Sequence, residues 1–343
     1  MRFGLLGCGV IGTTHARLIT ALAGRAELVA VADLEPSRAN GLAERYGAAA
    51  LENVQQLAAR DDIDAISVCL PSGLHADAAV TALDAGKHVI VEKPIDISLA
   101  AADRLIAAEQ RSGRTVTVIS QRRFQPAPRQ VHDAIVAGRL GRVTSGIAES
   151  TFWRSQEYYD SGGWRGTWEM DGGGALMNQG VHAVDLLIWM LGDPVEVTAH
   201  SGLLAHERID VEDTVAATVR FAGGALGTIT ATTAAYPGRA VRLLVNGDRG
   251  LALIDREQLE YLHTVDGEPD GAGSGDPANQ IDPAQTVLGV DAAHQAQYED
   301  FLAAVRDGRP PSVTTADGRK ALELVLGVYE SARNGGTPVR LGG

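Results

Sequence analysis

The chain has 343 residues, a length that suggests two domains, each large enough for its own core. Its hydrophobic fraction of 45% and charged fraction of 21% are those of an ordinary globular protein. The formal net charge of −13 makes nucleic acid and anionic membrane surfaces poor partners, so neither is expected.

The cysteine content and the N-terminus both point to a cytoplasmic protein. Cys8 and Cys69 form neither a disulfide framework nor a zinc-binding pattern, and we expect two small buried thiols. The first residues run directly into an apolar strand without the regions of a signal peptide. No apolar stretch approaches the roughly 18 residues that a membrane span needs, so no membrane partner is expected.

The first 120 residues alternate short apolar, β-rich runs with helical stretches. This rhythm predicts an α/β domain with a doubly wound parallel sheet and helices on both faces. The predicted strands are residues 2–6, 28–32, 63–70, 88–91 and 116–120, and the predicted helices are residues 13–22, 36–46, 75–85 and 98–111.

After residue 121 the pattern changes to alternating strands, which predicts an α+β domain with a largely antiparallel sheet and domain bounds of 1–120 and 121–343. Glycine pairs and Asp-Gly patterns at 223–224 and 248–250 indicate hairpin turns. A Gly-, Asp- and Pro-rich stretch at 266–283 predicts a loop, either a plain surface excursion or a lid. The predicted strands are 146–153, 195–201, 216–221, 226–231 and 242–246, and the helices are 176–191, 292–307 and 316–334.

A glycine-rich turn follows the first strand. Gly7-Cys8-Gly9-Val10-Ile11-Gly12 has the form G-x-G-x-x-G and opens a helix within a βαβ unit, the context in which this pattern binds a dinucleotide. The amides at the start of the helix would hold the pyrophosphate.

The ends of the following strands supply further cofactor contacts. Asp33 comes 21 residues after Gly12, where a carboxylate accepts hydrogen bonds from ribose hydroxyls and repels a 2′-phosphate. We therefore predict NAD, although the nearby Arg38 leaves NADP open. Pro71 would form a wall of the cofactor crevice, and His75 reads as a helix-start residue beside it.

Two motifs carry the predicted chemistry. Glu92-Lys93-Pro94 follows a buried parallel strand, so Lys93 would lie in the ligand crevice with its ammonium available to a substrate oxygen. On the mostly apolar helix at 176–191, Asn178, His182 and Asp185 share one face. Such a stripe is either a satisfied structural network or a histidine aimed at the nicotinamide.

Taken together, these residues predict the oxidation of a secondary alcohol. Hydride would pass to the nicotinamide, and the proton would pass to His182 or Lys93 while the other polarises the developing carbonyl oxygen. No metal is needed, and the other histidines show no ligand spacing.

Aromatic and arginine side chains cluster just before the helix that carries His182. Aromatic faces stack on sugar rings, and guanidinium groups bind carboxylates or phosphates; the alternative is a packed loop. The predicted substrate contacts outside the helix are Arg154, Trp164, Arg165 and, more weakly, Tyr236.

The glycine-rich turn, Glu92-Lys93-Pro94 and the segment from Gly172 to Asp185 resemble the Gfo/Idh/MocA family over essentially the whole chain. The resemblance implies a Rossmann domain for NAD and a C-terminal open-faced sheet for substrate and for assembly into a homodimer or homotetramer. It also implies pyranoses, inositols or nucleotide sugars as substrates, with Lys93 and His182 at the catalytic positions. The predicted cofactor contacts, of which the resemblance adds Arg122, are Gly7, Gly9, Val10, Ile11, Gly12, Asp33, Arg38, Pro71, His75, Glu92, Lys93 and Arg122.

The chain departs from the family at Asn178, where many members carry aspartate four residues before the histidine. An amide cannot take a proton, so the acid–base work moves to Lys93 and His182. Asn178 with Gln179 is similar to the subgroup that oxidises the 3-position of UDP-N-acetylglucosaminuronate. Three functions follow: a dehydrogenase of a cyclic polyol or sugar resembling inositol 2-dehydrogenase, a nucleotide-sugar 3-dehydrogenase, or a non-catalytic NAD-binding sensor.

Overall fold

The computed structural model describes residues 1–265 and 283–342, with the helical backbone alone for residues 283–290. The described chain forms two compact units. The first holds Met1–Ile119 and His294–Arg319, and the second holds Ser120–Ala293 and the residues from Lys320 onward. The units differ from the predicted bounds of 1–120 and 121–343 because residues 294–319 pack with the first. The predicted loop at 266–283 lies outside the described residues, except that Pro283 begins a helix.

The first unit contains a six-stranded sheet whose neighbouring strands are all parallel, which confirms the predicted doubly wound fold. Its strands are β1 (Arg2–Leu6), β2 (Glu27–Ala32), β3 (Ala49–Leu51), β4 (Ala65–Val68), β5 (His88–Val91) and β6 (Val116–Val118). They lie in the order β3-β2-β1-β4-β5-β6, which reverses direction between β1 and β4. Ligands of such sheets bind outside the carboxyl ends of the strands at this reversal.

Capping side chains and left-handed glycines mark several ends of the helices between these strands. The side chain of Asn53 caps one helix and that of Ser98 another, while Gly47 and Gly113 end two helices in the left-handed conformation. Neither the three-residue β3 nor the five-residue helix Val54–Ala58 was predicted, because neither is long enough to show a period. The helices are α1 (Val10–Ala21), α2 (Pro36–Tyr46), α3 (Val54–Ala58), α4 (His75–Asp84) and α5 (Leu99–Ser112).

The second unit contains an eight-stranded sheet that is mostly antiparallel, as predicted. Its strands are β7 (Val143–Thr151), β8 (Pro194–Gly202), β9 (Thr214–Phe221), β10 (Leu226–Thr232), β11 (Ala240–Gly247), β12 (Gly250–Asp255), β13 (Gln258–Thr264) and β14 (Val339–Arg340). They lie in the order β13-β12-β11-β7-β10-β9-β8-β14, and β7 pairs with β10 in parallel. Both predicted hairpin turns are present, between β9 and β10 and between β11 and β12.

The remaining helices are α6 (Pro126–Val136), α7 (Gln156–Asp160), α8 (Val181–Leu191), α9 (Pro283–Asp307) and α10 (Thr315–Arg333). The apolar α8 packs on the sheet, where the absence of a side chain at Gly146 makes room for Leu187 and Leu191. The predicted helix at 176–191 is in fact a π-helical turn, Leu176–Gly180, that leads into α8. Among the described helices, none is long and apolar enough to cross a membrane.

Candidate active site

The turn between β1 and α1 is shaped to accept a phosphate group. Gly7 has φ +93, a conformation that glycine adopts without strain. No side chain caps the first turn of α1, so its amides and the positive end of the helix dipole face outward from Gly9. A Cβ atom on Gly9 would have no protein atom within 4 Å, whereas one on Gly12 would lie 1.8 Å from the carbonyl oxygen of Gly7. The turn therefore keeps open space at Gly9, as a bound pyrophosphate requires.

Replacing Gly9 with alanine tests this fit. Gly9 has φ −75, which alanine adopts freely, and the added methyl group meets no protein atom. We expect an unchanged melting temperature and an NADH dissociation constant raised at least about tenfold, measured by fluorescence titration. Gly12→Ala is the contrasting control, since its methyl group must displace Gly7 and destabilise the domain. Wild-type NADH affinity in Gly9→Ala would show that the dinucleotide does not approach this turn.

Asp33 stands at the end of β2 with its carboxylate oriented by two backbone amides. Oδ2 accepts a hydrogen bond from the amide of Cys8 at 2.7 Å, and Oδ1 accepts one from the amide of Glu35 at 2.9 Å. The side chain is thus fixed beside the glycine-rich turn, as a ribose-binding carboxylate must be. Arg38, on α2, is exposed. Burial and the charge of Asp33 raise the pKa of the Cys8 thiol to about 12, so this cysteine is neutral.

Lys93 follows β5, which pairs with β4, and β4 pairs with β1. The glycine-rich turn and Lys93 therefore open onto the same edge of one parallel sheet. The Lys93 amide donates a hydrogen bond to Oε2 of Glu92 at 3.0 Å, and the Lys93 side chain is half-buried. The peptide bond from Lys93 to the buried Pro94 is cis.

Glu92 belongs to a buried polar network that the sequence did not reveal. Its Oε1 lies 3.0 Å from Nε2 of His15, and Nδ1 of His15 contacts the hydroxyls of Ser67 at 2.9 Å and Tyr298 at 2.8 Å. Burial raises the pKa of Glu92, but the hydrogen bond and charge of His15 outweigh it and lower that pKa to about 2. The carboxylate that holds the Lys93 backbone is therefore ionised.

Among the described residues, one set of side chains has the composition of a metal site. The candidate ligand atoms of His15, Glu92 and His294 all lie within 4.8 Å of one another, and the three residues are buried. The direct hydrogen bond between His15 and Glu92 accounts for their proximity without an ion.

Pro71 and His75 lie after β4. Pro71 is half-buried and precedes a 3₁₀ turn at Ser72–Leu74. The ring nitrogens of the buried His75 lie 2.7 Å from the carbonyl oxygen of Pro94 and 2.8 Å from that of Leu70. His75 thus joins the chain after β4 to the chain after β5 and braces the segment that carries Lys93.

In the second unit, the π-helical turn Leu176–Gly180 carries Asn178 and leads into α8, which carries His182. Both side chains are half-buried, while their neighbours are buried against the sheet. The amide nitrogen of Asn178 donates a hydrogen bond to Oδ1 of Asp171 at 3.2 Å. The buried Asp171 also accepts a hydrogen bond from the amide of Gly166 at 2.8 Å, so it links Asn178 to the segment of Trp164 and Arg165. π-Helical turns occur frequently at functional sites.

Asp185, predicted to bind substrate, is buried and ion-paired. Both of its oxygens accept hydrogen bonds from Arg123, at 2.6 and 2.9 Å, and Oδ2 also accepts one from the hydroxyl of Ser120. Arg123 lies over the ring of Trp189 with 5.5 Å between the guanidinium carbon and the ring centroid. These contacts give Asp185 a structural role in fixing the 3₁₀ turn Gln121–Phe124.

Arg122, predicted to approach the cofactor, forms a buried ion pair with Glu257. Glu257 lies in the tight turn between β12 and β13, where it has φ +70 and Arg256 has φ +48. Residues other than glycine rarely adopt this conformation, which the ion pair helps to maintain. The cofactor contact of Arg122 stays a prediction.

The arginines and aromatic residues predicted to bind substrate form a stacked cluster. The guanidinium of Arg165 lies 4.4 Å from the ring centroids of both Tyr158 and Trp164, and that of Arg154 lies 4.8 Å from the ring of Tyr158. Arg165 also donates a hydrogen bond to the Tyr158 hydroxyl at 2.8 Å. Tyr236 is in edge-to-face contact with Trp153, the chain neighbour of Arg154, and is 79% exposed.

Two family models match the chain. A model described as "Oxidoreductase family, NAD-binding Rossmann fold" matches residues 1–120, and one described as "GFO/IDH/MocA C-terminal domain" matches residues 129–253.

Relatives match over nearly the whole length. The inositol 2-dehydrogenase of Rhizobium meliloti is 29% identical over 328 residues, and the myo-inositol 2-dehydrogenase of Thermotoga maritima is 27% identical over 338 residues; each match covers 94% of both chains. The solved structure of the WlbA dehydrogenase from Bordetella pertussis, in complex with NADH and UDP-GlcNAcA, is 31% identical. Its TM-score is 0.88, and the match covers 100% of this chain and 98% of that one.

Proposed function

Because the chain belongs to the Gfo/Idh/MocA family of NAD-binding oxidoreductases, we propose that it oxidises a secondary ring hydroxyl of a cyclic polyol or sugar, as an inositol 2-dehydrogenase does. The observation that carries the proposal is that Lys93 and the open glycine-rich turn share one edge of the parallel sheet. NAD, when bound, supplies the hydride acceptor.

Lys93 and His182 divide the proton chemistry. The Lys93 ammonium donates a hydrogen bond to the hydroxyl oxygen and stabilises negative charge there as the hydroxyl proton leaves. The imidazole of His182 accepts that proton as the general base. Asn178 orients the substrate through hydrogen bonds and takes no proton. Keeping both a lysine and a histidine at these positions argues against a non-catalytic NAD sensor.

A second candidate substrate, a nucleotide sugar with a uronate carboxylate, is favoured by the cluster of Arg154, Tyr158, Trp164 and Arg165. A guanidinium group held against two aromatic rings is pre-organised to bind a carboxylate. Asn178 with Gln179 supports the same substrate class, and the Bordetella pertussis relative was crystallised with UDP-GlcNAcA.

We further propose a cytoplasmic homodimer or homotetramer that uses the open face of the C-terminal sheet.

The proposal is tested by NADH formation across inositols, aldoses, 1,5-anhydro sugars and UDP-N-acetylglucosaminuronate, with NAD and NADP assayed in parallel. Turnover of a free polyol or sugar with NAD supports the first substrate class. Turnover of the nucleotide sugar alone supports the second. Equal catalytic efficiency with NADP would contradict the role of Asp33, and NADH binding without turnover of any compound would favour the sensor.

Arg165→Ala separates the two substrate classes. The substitution removes one charge-assisted hydrogen bond to a uronate carboxylate. We expect it to raise the KM for the nucleotide sugar about 10- to 100-fold and to leave the KM for myo-inositol unchanged. Arg208→Ala is the matched control, because Arg208 is an exposed arginine that pairs with Asp160. Equal KM values for the charged substrate in wild type and Arg165→Ala would remove this arginine from the substrate site.

A further inference from the structure

The backbone from Gly174 to Met177 is held by two buried side chains that lie far from it in sequence. Oε2 of Glu212 accepts a hydrogen bond from the Gly174 amide at 2.8 Å, and Oε1 accepts bonds from the Leu176 amide at 2.9 Å and the Tyr329 hydroxyl at 3.0 Å. The Tyr329 oxygen in turn accepts a bond from the Met177 amide at 3.1 Å. One carboxylate and one phenol thus bind three amides at the start of the π-helical turn.

The contact depends on glycine, because a Cβ atom at Gly174 would lie 1.8 Å from the backbone oxygen of Glu212. That same oxygen accepts a hydrogen bond from the Ala175 amide at 3.1 Å. The first amides of a helix have no partner within the helix, so Glu212 satisfies groups that would otherwise be buried without one. Its negative charge also lies at the positive end of the helix dipole.

We propose that Glu212 is a positioning residue for the reaction: its carboxylate, supported by Tyr329, fixes the π-helical turn that carries Asn178 and sets the start of α8, which carries His182. This inference rests on the proposed function, because the position of His182 affects the rate only if His182 accepts the proton. Glu212 does not itself touch substrate; it acts through the amides of Gly174 and Leu176.

Glu212 also makes this arrangement sensitive to pH. Burial raises the pKa of Glu212 to about 7, although the amides of Leu176 and Gly174 and the Tyr329 hydroxyl act against the rise. In the part of the chain that the structure describes, Tyr329 on α10 and Tyr159 on α7 also interact with its charge. Burial raises the pKa of both tyrosines, so both are neutral near pH 7. The adjacent Asp213 binds the amides of residues 204–206 instead. As the pH falls through about 7, Glu212 gains a proton. The hydrogen bonds that its oxygens accept from the amides then weaken, while the free-energy cost of burying its charge is removed.

Glu212→Gln tests the proposal. We expect kcat for the best substrate of the panel to fall at least about tenfold, with the NADH dissociation constant unchanged. Amide hydrogen exchange over residues 174–180 should become faster. Trp168, whose ring lies edge-on to Tyr329 at 5.1 Å, should show an emission change near pH 7 in wild type that Glu212→Gln lacks.

Asp213→Asn is the matched control, since it removes a neighbouring buried carboxylate that holds another loop; it should lose stability but keep the emission change and kcat. A kcat within twofold of wild type in folded Glu212→Gln would overturn the proposal. If Glu212→Gln does not fold, Tyr329→Phe, which removes one of the donors, must show the same loss of kcat in smaller degree. Accelerated exchange in a protein whose wild type turns over no compound would overturn the proposed function and still support the contact.

Discussion

Replacing Lys93 with alanine is expected to lower kcat at least ~10²-fold while NADH binding stays within twofold of wild type, because a positioned acid–base group contributes on that scale. The backbone at this position is held by groups that the substitution leaves in place. The Lys93 amide still binds Glu92, and the carbonyl of Pro94 still binds His75. The loss therefore reports the ammonium group alone.

The control for this variant lies at the other end of the same strand. Lys87 precedes β5, is buried, and donates hydrogen bonds to the carbonyl oxygens of Arg60 at 2.7 Å and Ile63 at 2.9 Å. Lys87→Met should cost stability and leave kcat unchanged. Lys93→Arg keeps a positive charge, and its guanidinium group does not release a proton. This variant therefore separates charge stabilisation from proton transfer. Near-normal kcat in Lys93→Ala, measured as NADH formation at saturating substrate, would remove Lys93 from the mechanism.

The elements of the fold that the sequence predicted are those with a clear period. β1, α2 and β5 have the predicted bounds because their apolar runs end at glycine, proline or charged residues. By contrast, β12 and β13 were missed. β12 ends in four consecutive buried residues, so it shows no alternation, whereas β13 alternates mostly exposed and half-buried residues. The tight turn between them, at Arg256 and Glu257, lacks the glycine or asparagine that marks such turns.

The candidate site was predictable where its chemistry lies in continuous motifs, as in the glycine-rich turn and Glu92-Lys93-Pro94. The residues that fix those motifs were not predictable, because they come from distant parts of the chain. His15 meets Glu92 across 77 positions, and Glu212 meets Gly174 across 38. Periodicity identifies the buried face of a helix, but it does not identify which polar group meets it there.

Asp185 shows the same limit of prediction from periodicity. Spacing placed Asp185 on one face with Asn178 and His182, which suggested substrate binding, yet its partner in the structure is Arg123. A pair this deeply buried is costly to break from one side, because the remaining charge has no compensating partner. Asp185→Asn is therefore expected to destabilise the protein by about 3–5 kcal/mol, with a lower urea midpoint at unchanged slope.

The double variant Arg123→Met, Asp185→Leu decides between the structural and the substrate roles. If the pair is structural, removing both charges together restores much of the stability that Asp185→Asn loses, since apolar residues of similar volume replace such pairs at little cost. Most of the activity should return together with the stability, because the side chains of a purely structural pair make no contact with the substrate. A ligand of the substrate would behave in the opposite way: Asp185→Asn would keep its urea midpoint and raise KM, and the double variant would stay impaired. The two-point hydrogen bonds from Arg123, together with the bond from Ser120, favour the structural outcome.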